Sequence, residues 1–172
     1  MLEIFRRVQR SLRARLIMIG DGPDRISVER QAAEYGLSDV VEFVGEQQDL
    51  VPWLSSADLF LLPSNKESFG LSALEALSCG VPVIGCNVGG LPEVVRHGET
   101  GILLPPGDIA GLSAAATEIL GDPEKWRAMS ELGAADARAR FSEDAIVPLY
   151  EEIYRKAVRD RPRPASARPV TA

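Results

Sequence analysis

Histidine, cysteine and lysine are scarce in this 172-residue chain, and each scarcity removes a class of chemistry. One histidine, His97, and two cysteines, Cys79 and Cys86, form no CxxC and no ligand cluster. They supply neither a metal centre nor a nucleophile with its base, so the expected metal set is empty. The cysteines stand in an apolar stretch and read as buried, reduced thiols. The three lysines, Lys66, Lys125 and Lys156, include none placed like a buried Schiff-base lysine. Long hydrophobic runs are also missing. No stretch approaches the roughly 20 apolar residues that cross a bilayer, and residues 1–7 carry an early acid and no signal-peptide core. The expectation is a cytoplasmic protein that does not span a membrane. Excess positive charge is absent as well: 19 basic against 25 acidic residues give a net charge of -6, which argues against a nonspecific nucleic-acid binder. What remains is chemistry by electrostatics and hydrogen bonding.

The composition is 45% hydrophobic, enough for one domain with a sizeable core. Short apolar runs alternate with helical patterns. Residues 15–20, 40–45, 58–63 and 83–86 read as strands, and the segments between them as turns and helices. Runs this apolar are covered on both faces. Their alternation with helices predicts an α/β fold, a Rossmann-like doubly wound parallel sheet with ligands at the carboxyl ends of its strands. Beyond Gly107 three helices are expected, at 109–120, 123–140 and 142–159, with Asp108, Asp122 and Ser142 as caps. Residues 160–172, rich in arginine, proline and alanine, read as a disordered tail.

The most informative stretch is Glu67-Ser68-Phe69-Gly70-Leu71-Ser72-Ala73-Leu74-Glu75. A helix starting near Phe69 or Gly70 would turn its first amides and its partial positive charge toward an anion. Each acid also has a structural reading, Glu67 as a favourable charge ahead of a helix and Glu75 as a solvated helix face. The cluster Ser64, Glu67, Ser68 and Gly70, directly after an apolar strand, is more polar than packing requires. Two carboxylates on either side of an anion-binding helix start suit a diphosphate flanked by polyols, which describes a nucleotide sugar. Gly20-Asp21-Gly22-Pro23 reads as a tight turn, being neither GxGxxG nor a Walker sequence. The loop at 87–93 is placed to line a cleft, with Pro92 opening a short helix. His97 reads as a surface histidine without a catalytic role.

These segments resemble the donor-binding half of retaining, two-domain GT-B glycosyltransferases, family 4, group 1, whose mark is two glutamates separated by seven residues. The likeness runs from residue 15 to about 141. It includes Ile19-Gly20-Asp21-Gly22-Pro23, Phe43-Val44-Gly45, Ser56-Ala57-Asp58, Pro63-Ser64, the glutamate stretch, Gly80-Val81-Pro82-Val83, Gly89-Gly90-Leu91-Pro92-Glu93 and His97-Gly98-Glu99-Thr100-Gly101. The resemblance implies that residues 1–159 form the nucleotide-sugar-binding domain, the C-terminal half of a GT-B fold. It implies that Glu67 binds the donor sugar and acts in catalysis, and that Glu75 binds the ribose. The amides of Phe69, Gly70 and Leu71, with Ser68, would hold sugar and diphosphate, and the segment from Val44 through Gln47 would meet the base. No cofactor and no essential metal are implied, and the anomeric configuration would be retained.

Within the family, Gly45-Glu46-Gln47-Gln48-Asp49 and Lys66-Glu67-Ser68-Phe69-Gly70-Leu71 are most similar to members of the bacillithiol pathway that join N-acetylglucosamine from UDP to L-malate. Members making polysaccharide, glycolipid or sucrose-type products share most of the same residues. Two family features have no counterpart here: the N-terminal acceptor domain, and the first strand of the donor domain with its arginine and lysine. Phe5-Arg6-Arg7-Val8-Gln9-Arg10 superficially resembles that basic motif but stands where the following helix belongs, so its role is not transferred. Truncation is the expectation, and the competing one is a catalytically inactive nucleotide-sugar-binding or partner module. A glycan phosphorylase of the same overall fold would need a cofactor lysine.

Overall fold

Strand and helix alternate along the first 104 residues, and helices follow. The computed structural model describes residues 1–160. In chain order the elements are α1 (Leu2–Val8), β1 (Leu16–Ile19), α2 (Arg25–Glu34), β2 (Val41–Gly45), α3 (Val51–Ser55), β3 (Phe60–Leu62), α4 (Leu71–Ser78), β4 (Val83–Cys86), α5 (Leu91–Val94), β5 (Gly101–Leu104), α6 (Ile109–Gly121), α7 (Pro123–Phe141) and α8 (Glu143–Arg159). Among the described residues every strand pairing is parallel. Leu16 lies opposite Val41, Phe60 opposite Val83, and Val83 opposite Gly101. The α/β class, the parallel pairing and the C-terminal helices are those expected from the sequence.

The continuous sheet is not. β1 and β2 form one sheet, and β3, β4 and β5 form another, with β4 in the centre. The difference is visible in burial. β4, paired on both sides, is buried at all of its residues, whereas β1 leaves Ile17 39% and Ile19 38% exposed. Parallel strands normally owe their apolar composition to cover on both faces, so β1 carries a composition that its surroundings do not fully use.

α1 ties the two sheets together. Its Ile4 and Val8 join Ile84, Cys86, Leu112, Ala116 and Ile119 in one core cluster. Its Leu2 and Phe5 join Ala32, Leu37 and Val41 in the other. Two of the basic residues of this stretch are bound within the helix. Arg6 and Arg7 pair with Glu3 at 2.9 and 3.4 Å, and the Arg6 guanidinium lies 4.6 Å from the centre of the Tyr35 ring. Those hydrogen bonds hold the Glu3 carboxyl below the usual carboxylate range.

The expected caps are all present. The Asp108 carboxylate accepts the Gly111 N–H at 2.8 Å. Asp122 accepts the Glu124 and Lys125 amides at 3.1 and 3.0 Å, and the Ser142 hydroxyl accepts the Ala145 N–H at 3.3 Å. The chain divides into Met1–Ala137 and a second unit beginning at Arg138. The tail at 160–172 lies, apart from Asp160, outside the described residues. Because Asp108 caps the helix that packs against both α1 and β4, Asp108→Ala should lower stability by about 1 kcal/mol, measured by urea or thermal unfolding.

Candidate functional site

β3 and β4 are adjacent and parallel, with Leu62 opposite Gly85, so the loops that follow them emerge side by side at the carboxyl edge of the sheet. One loop runs through Glu67 to Gly70, the other from Asn87 to Gly90. They meet backbone to backbone: the Gly90 N–H donates to the Glu67 carbonyl at 3.2 Å. The approach requires glycine. At Gly89 (φ 54°) a Cβ would overlap the Glu67 carbonyl oxygen, and at Gly90 it would stand 2.8 Å from the Phe69 Cα. Beneath them Leu91 is fully buried. A Cβ on either Gly70 or Gly85 would come within 2.7 Å of its methyl groups.

Gly70 is the N-cap of α4 at φ 95°, a left-handed conformation, and it places the helix start one residue later than the sequence suggests. The first intrahelical bond runs from the Leu74 N–H to the Gly70 carbonyl at 3.0 Å. The N–H groups of Leu71, Ser72 and Ala73 therefore come before any intrahelical acceptor. The Gly70 N–H has a partner already, because the Glu67 carboxylate accepts it at 3.1 Å. Of the expected amide set, Leu71 stays at the helix opening, Gly70 is engaged by Glu67, and Ser72 is an addition that the sequence reading missed. Its signal was the left-handed glycine, which displaces the first turn. Ser68 is exposed, and Glu67 and Phe69 are half-buried. Glu75 is exposed on the same helical face as Leu71, which is 61% exposed. Helical Cα–Cβ bonds lean toward the N-terminus, so the Glu75 side chain starts out toward the helix opening.

Val44 and Gln47 are brought together at the carboxyl end of β2, where the Gln47 side-chain amide donates to the Val44 carbonyl at 2.7 Å. They belong to the other sheet. Nearby, in Gly20-Asp21-Gly22-Pro23, the Gly22 N–H donates to the Asp21 carboxylate at 2.7 Å, and the turn itself falls at Pro23 and Asp24, where the Arg25 N–H donates to the Gly22 carbonyl at 3.1 Å. Arg25, unremarked in the sequence, reaches Asp21 at 3.4 Å and Glu29 at 2.8 Å. Its hydrogen bond to Glu29 raises its pKa further.

His97 is exposed, but its Nδ1 accepts the Leu103 N–H at 3.1 Å. The ring is therefore a structural acceptor that ties its turn to β5, a contact with no local sequence signature. Neither cysteine is in a disulfide; Cys86 is buried and Cys79 only partly so, which corrects the expectation of two buried thiols. Burial pushes the Cys86 thiol up, away from the reactive thiolate. Among the described residues no group of three or more His, Cys, Asp or Glu is placed to hold a metal ion, and no helix is long and apolar enough to cross a membrane.

Residues 1–136 match the family model described as glycosyl transferases group 1. The chain belongs to that family. It is 40% identical over 159 residues to N-acetyl-alpha-D-glucosaminyl L-malate synthase of Bacillus anthracis, covering 92% of this chain and 42% of the relative. It is 41% identical over 156 residues to D-inositol 3-phosphate glycosyltransferase of Thermobispora bispora, covering 86% of this chain and 36% of the relative. Among solved structures, sucrose-phosphate synthase from Thermosynechococcus elongatus superposes with a TM-score of 0.83 at 34% identity, over 92% of this chain and 42% of that one. Anabaena Alr3699/HepE in complex with UDP-glucose superposes with a TM-score of 0.80 at 27% identity, over 92% and 44%. The structural neighbours are GT-B glycosyltransferases, and the chain spans less than half the length of each of these four proteins.

The glycine contact is directly testable. Gly89→Ala combines a left-handed φ with a backbone overlap and should cost about 3 kcal/mol or more. Gly107→Ala shares the positive φ of 84° but meets nothing within 4 Å, and should cost only about 1 kcal/mol. Thermal unfolding of the two variants side by side measures the difference.

Proposed function

We propose that these residues form the donor site of a UDP-sugar-dependent glycosyltransferase that retains the anomeric configuration. The observation that carries the reading is the opening of α4 at the carboxyl end of β3, with Glu67 before it and Glu75 one turn inside it. On this reading the Leu71 and Ser72 amides, with the helix dipole, hold the diphosphate, and Ser68, Phe69 and Gly70 line the sugar side. Glu67 accepts hydrogen bonds from sugar hydroxyls and Glu75 from ribose hydroxyls. Val44 and Gln47, at the end of β2, face the base. Catalysis is stabilisation of the leaving diphosphate by donors fixed in advance, each contributing on the order of 3 kcal/mol to the barrier, with neither metal nor cofactor.

The finer reading is N-acetylglucosamine as the sugar and L-malate as the acceptor. It is supported by the 40% identity to the Bacillus anthracis synthase and by the 45–49 and 66–71 segments. The acceptor would be held outside the segment these relatives share with the chain, so donor binding is the activity assigned to the 172 residues themselves. A nucleotide-sugar-binding module that does no transfer makes the same contacts and differs in remaining inactive when an acceptor-binding domain is supplied.

Calorimetry tests the site. UDP and UDP-N-acetylglucosamine should both bind saturably, and no heat with either would overturn the reading. Glu75→Ala should weaken UDP by about 1.5 to 3 kcal/mol, the range for hydrogen bonds to a charged group. Glu67→Ala should instead narrow the gap between the sugar donor and UDP; equal losses on both ligands in the two variants would sink the division of roles. Excess EDTA should leave UDP affinity unchanged, and a tenfold loss would show that a metal is needed.

A further inference from the structure

We infer that the Glu67 carboxylate is a displaceable cap: it holds the Gly70 amide while the site is empty, and an incoming diphosphate expels it toward the sugar. The inference rests on the donor-site reading above. Its starting point is the 3.1 Å hydrogen bond from the Gly70 N–H to Glu67 Oε1. A carboxylate in that position occupies, with its charge, the place where the helix dipole favours an anion. A diphosphate is a second and larger anion seeking the same helix end. Two like charges a few ångströms apart in a partly buried site repel strongly, so one must leave.

The surroundings decide which part moves. The Glu67 backbone is fixed, since its carbonyl accepts the Gly90 N–H at 3.2 Å and Gly89 is packed against it. Gly70 is buried, with Leu91 beneath it. The side chain of Glu67 is half-buried and is anchored by its hydrogen bond from that one amide. Rotation about its side-chain bonds is therefore the cheap response. It releases the Gly70 N–H to the incoming ligand and swings the carboxylate to where a sugar attached to the diphosphate would present its hydroxyls. One residue thus counts against a bare diphosphate and in favour of one carrying a sugar, giving the site selectivity for donor over spent nucleotide without a second residue.

The prediction is opposite in sign to that for an ordinary ligand-binding residue. In calorimetry on the full chain, Glu67→Ala should bind UDP about three- to tenfold more tightly than the unaltered protein, and inorganic pyrophosphate should gain similarly. Uridine, which has no phosphate, should be unaffected. UDP-N-acetylglucosamine should gain less than UDP or lose affinity. Glu67→Gln, which keeps an acceptor oxygen but not the charge, should fall between, and it serves as the probe if the alanine variant does not fold. If the unaltered chain binds UDP and both variants bind it equally or more weakly, the displaceable cap is overturned while the donor site stands. If the unaltered chain binds no UDP, the donor-site reading fails and this inference fails with it.

Discussion

The backbone contact between the two loops after β3 and β4 is the constraint on which the candidate site depends. Parallel pairing of these strands delivers the loops side by side, but it does not bring them into contact. Contact comes from three positions without side chains, Gly85, Gly89 and Gly90, and from Leu91, which fills the space under Gly70 and Gly85. A single leucine thereby fixes the floor of the α4 opening. The Gly90 N–H then fixes the carbonyl of Glu67. On the proposed reading, a rigid backbone carrying a carboxylate held by a single amide lets Glu67 select a ligand without reshaping the loop.

An acidic chain can still offer an anion site, because net charge governs long-range attraction and not local recognition. The -6 charge is spread over the whole sequence, while the α4 opening concentrates partial positive charge on a few amides. Three of the arginines are turned to acids of their own neighbourhood. Arg6 and Arg7 are committed to Glu3, and Arg25 to Asp21 and Glu29. Recognition by amides also makes the two carboxylates intelligible. They would oppose a free phosphate, but toward a ligand whose diphosphate is bracketed by hydroxyls they are the acceptors that such hydroxyls need.

The parts of this structure legible in the sequence are those with local causes. Apolar runs marked β1 to β4, and Asp108, Asp122 and Ser142 marked helix starts because a short oxygen-bearing side chain meets amides only two or three residues away. The succession of strand, polar loop and helix around the glutamate stretch was legible for a similar reason, since the three follow one another directly. Contacts between distant backbone segments left no such trace. Nothing near His97 announces that its ring accepts the Leu103 amide, and nothing in Gly89-Gly90 says which carbonyl will lie against them. The left-handed turn at Gly70 was one residue beyond what periodicity can resolve, and that residue decided which amides open the helix. The parting of β1 and β2 from β3, β4 and β5 depends on which strands find neighbours, a property of the assembled fold and not of any one strand.

That parting gives α1 a larger role than its length suggests. On the proposed reading the base lies at Val44 and Gln47, on one sheet, and the diphosphate and sugar lie at α4, on the other. A nucleotide sugar has a fixed reach between its base and its phosphates, so the two sheets must be held at a matching separation. Among the described residues they share no strand pairing. They share α1, whose Leu2 and Phe5 enter the core under β2 and whose Ile4 and Val8 enter the core under β4. Alternate faces of a seven-residue helix are thus built into two cores at once. Spacing between the halves of the donor site then follows from how deeply these four side chains are packed, and all four are at most 3% exposed. A close-packed interior resists displacement by even a methylene, so α1, which touches no part of the ligand in this reading, sets the distance across which the ligand is recognised.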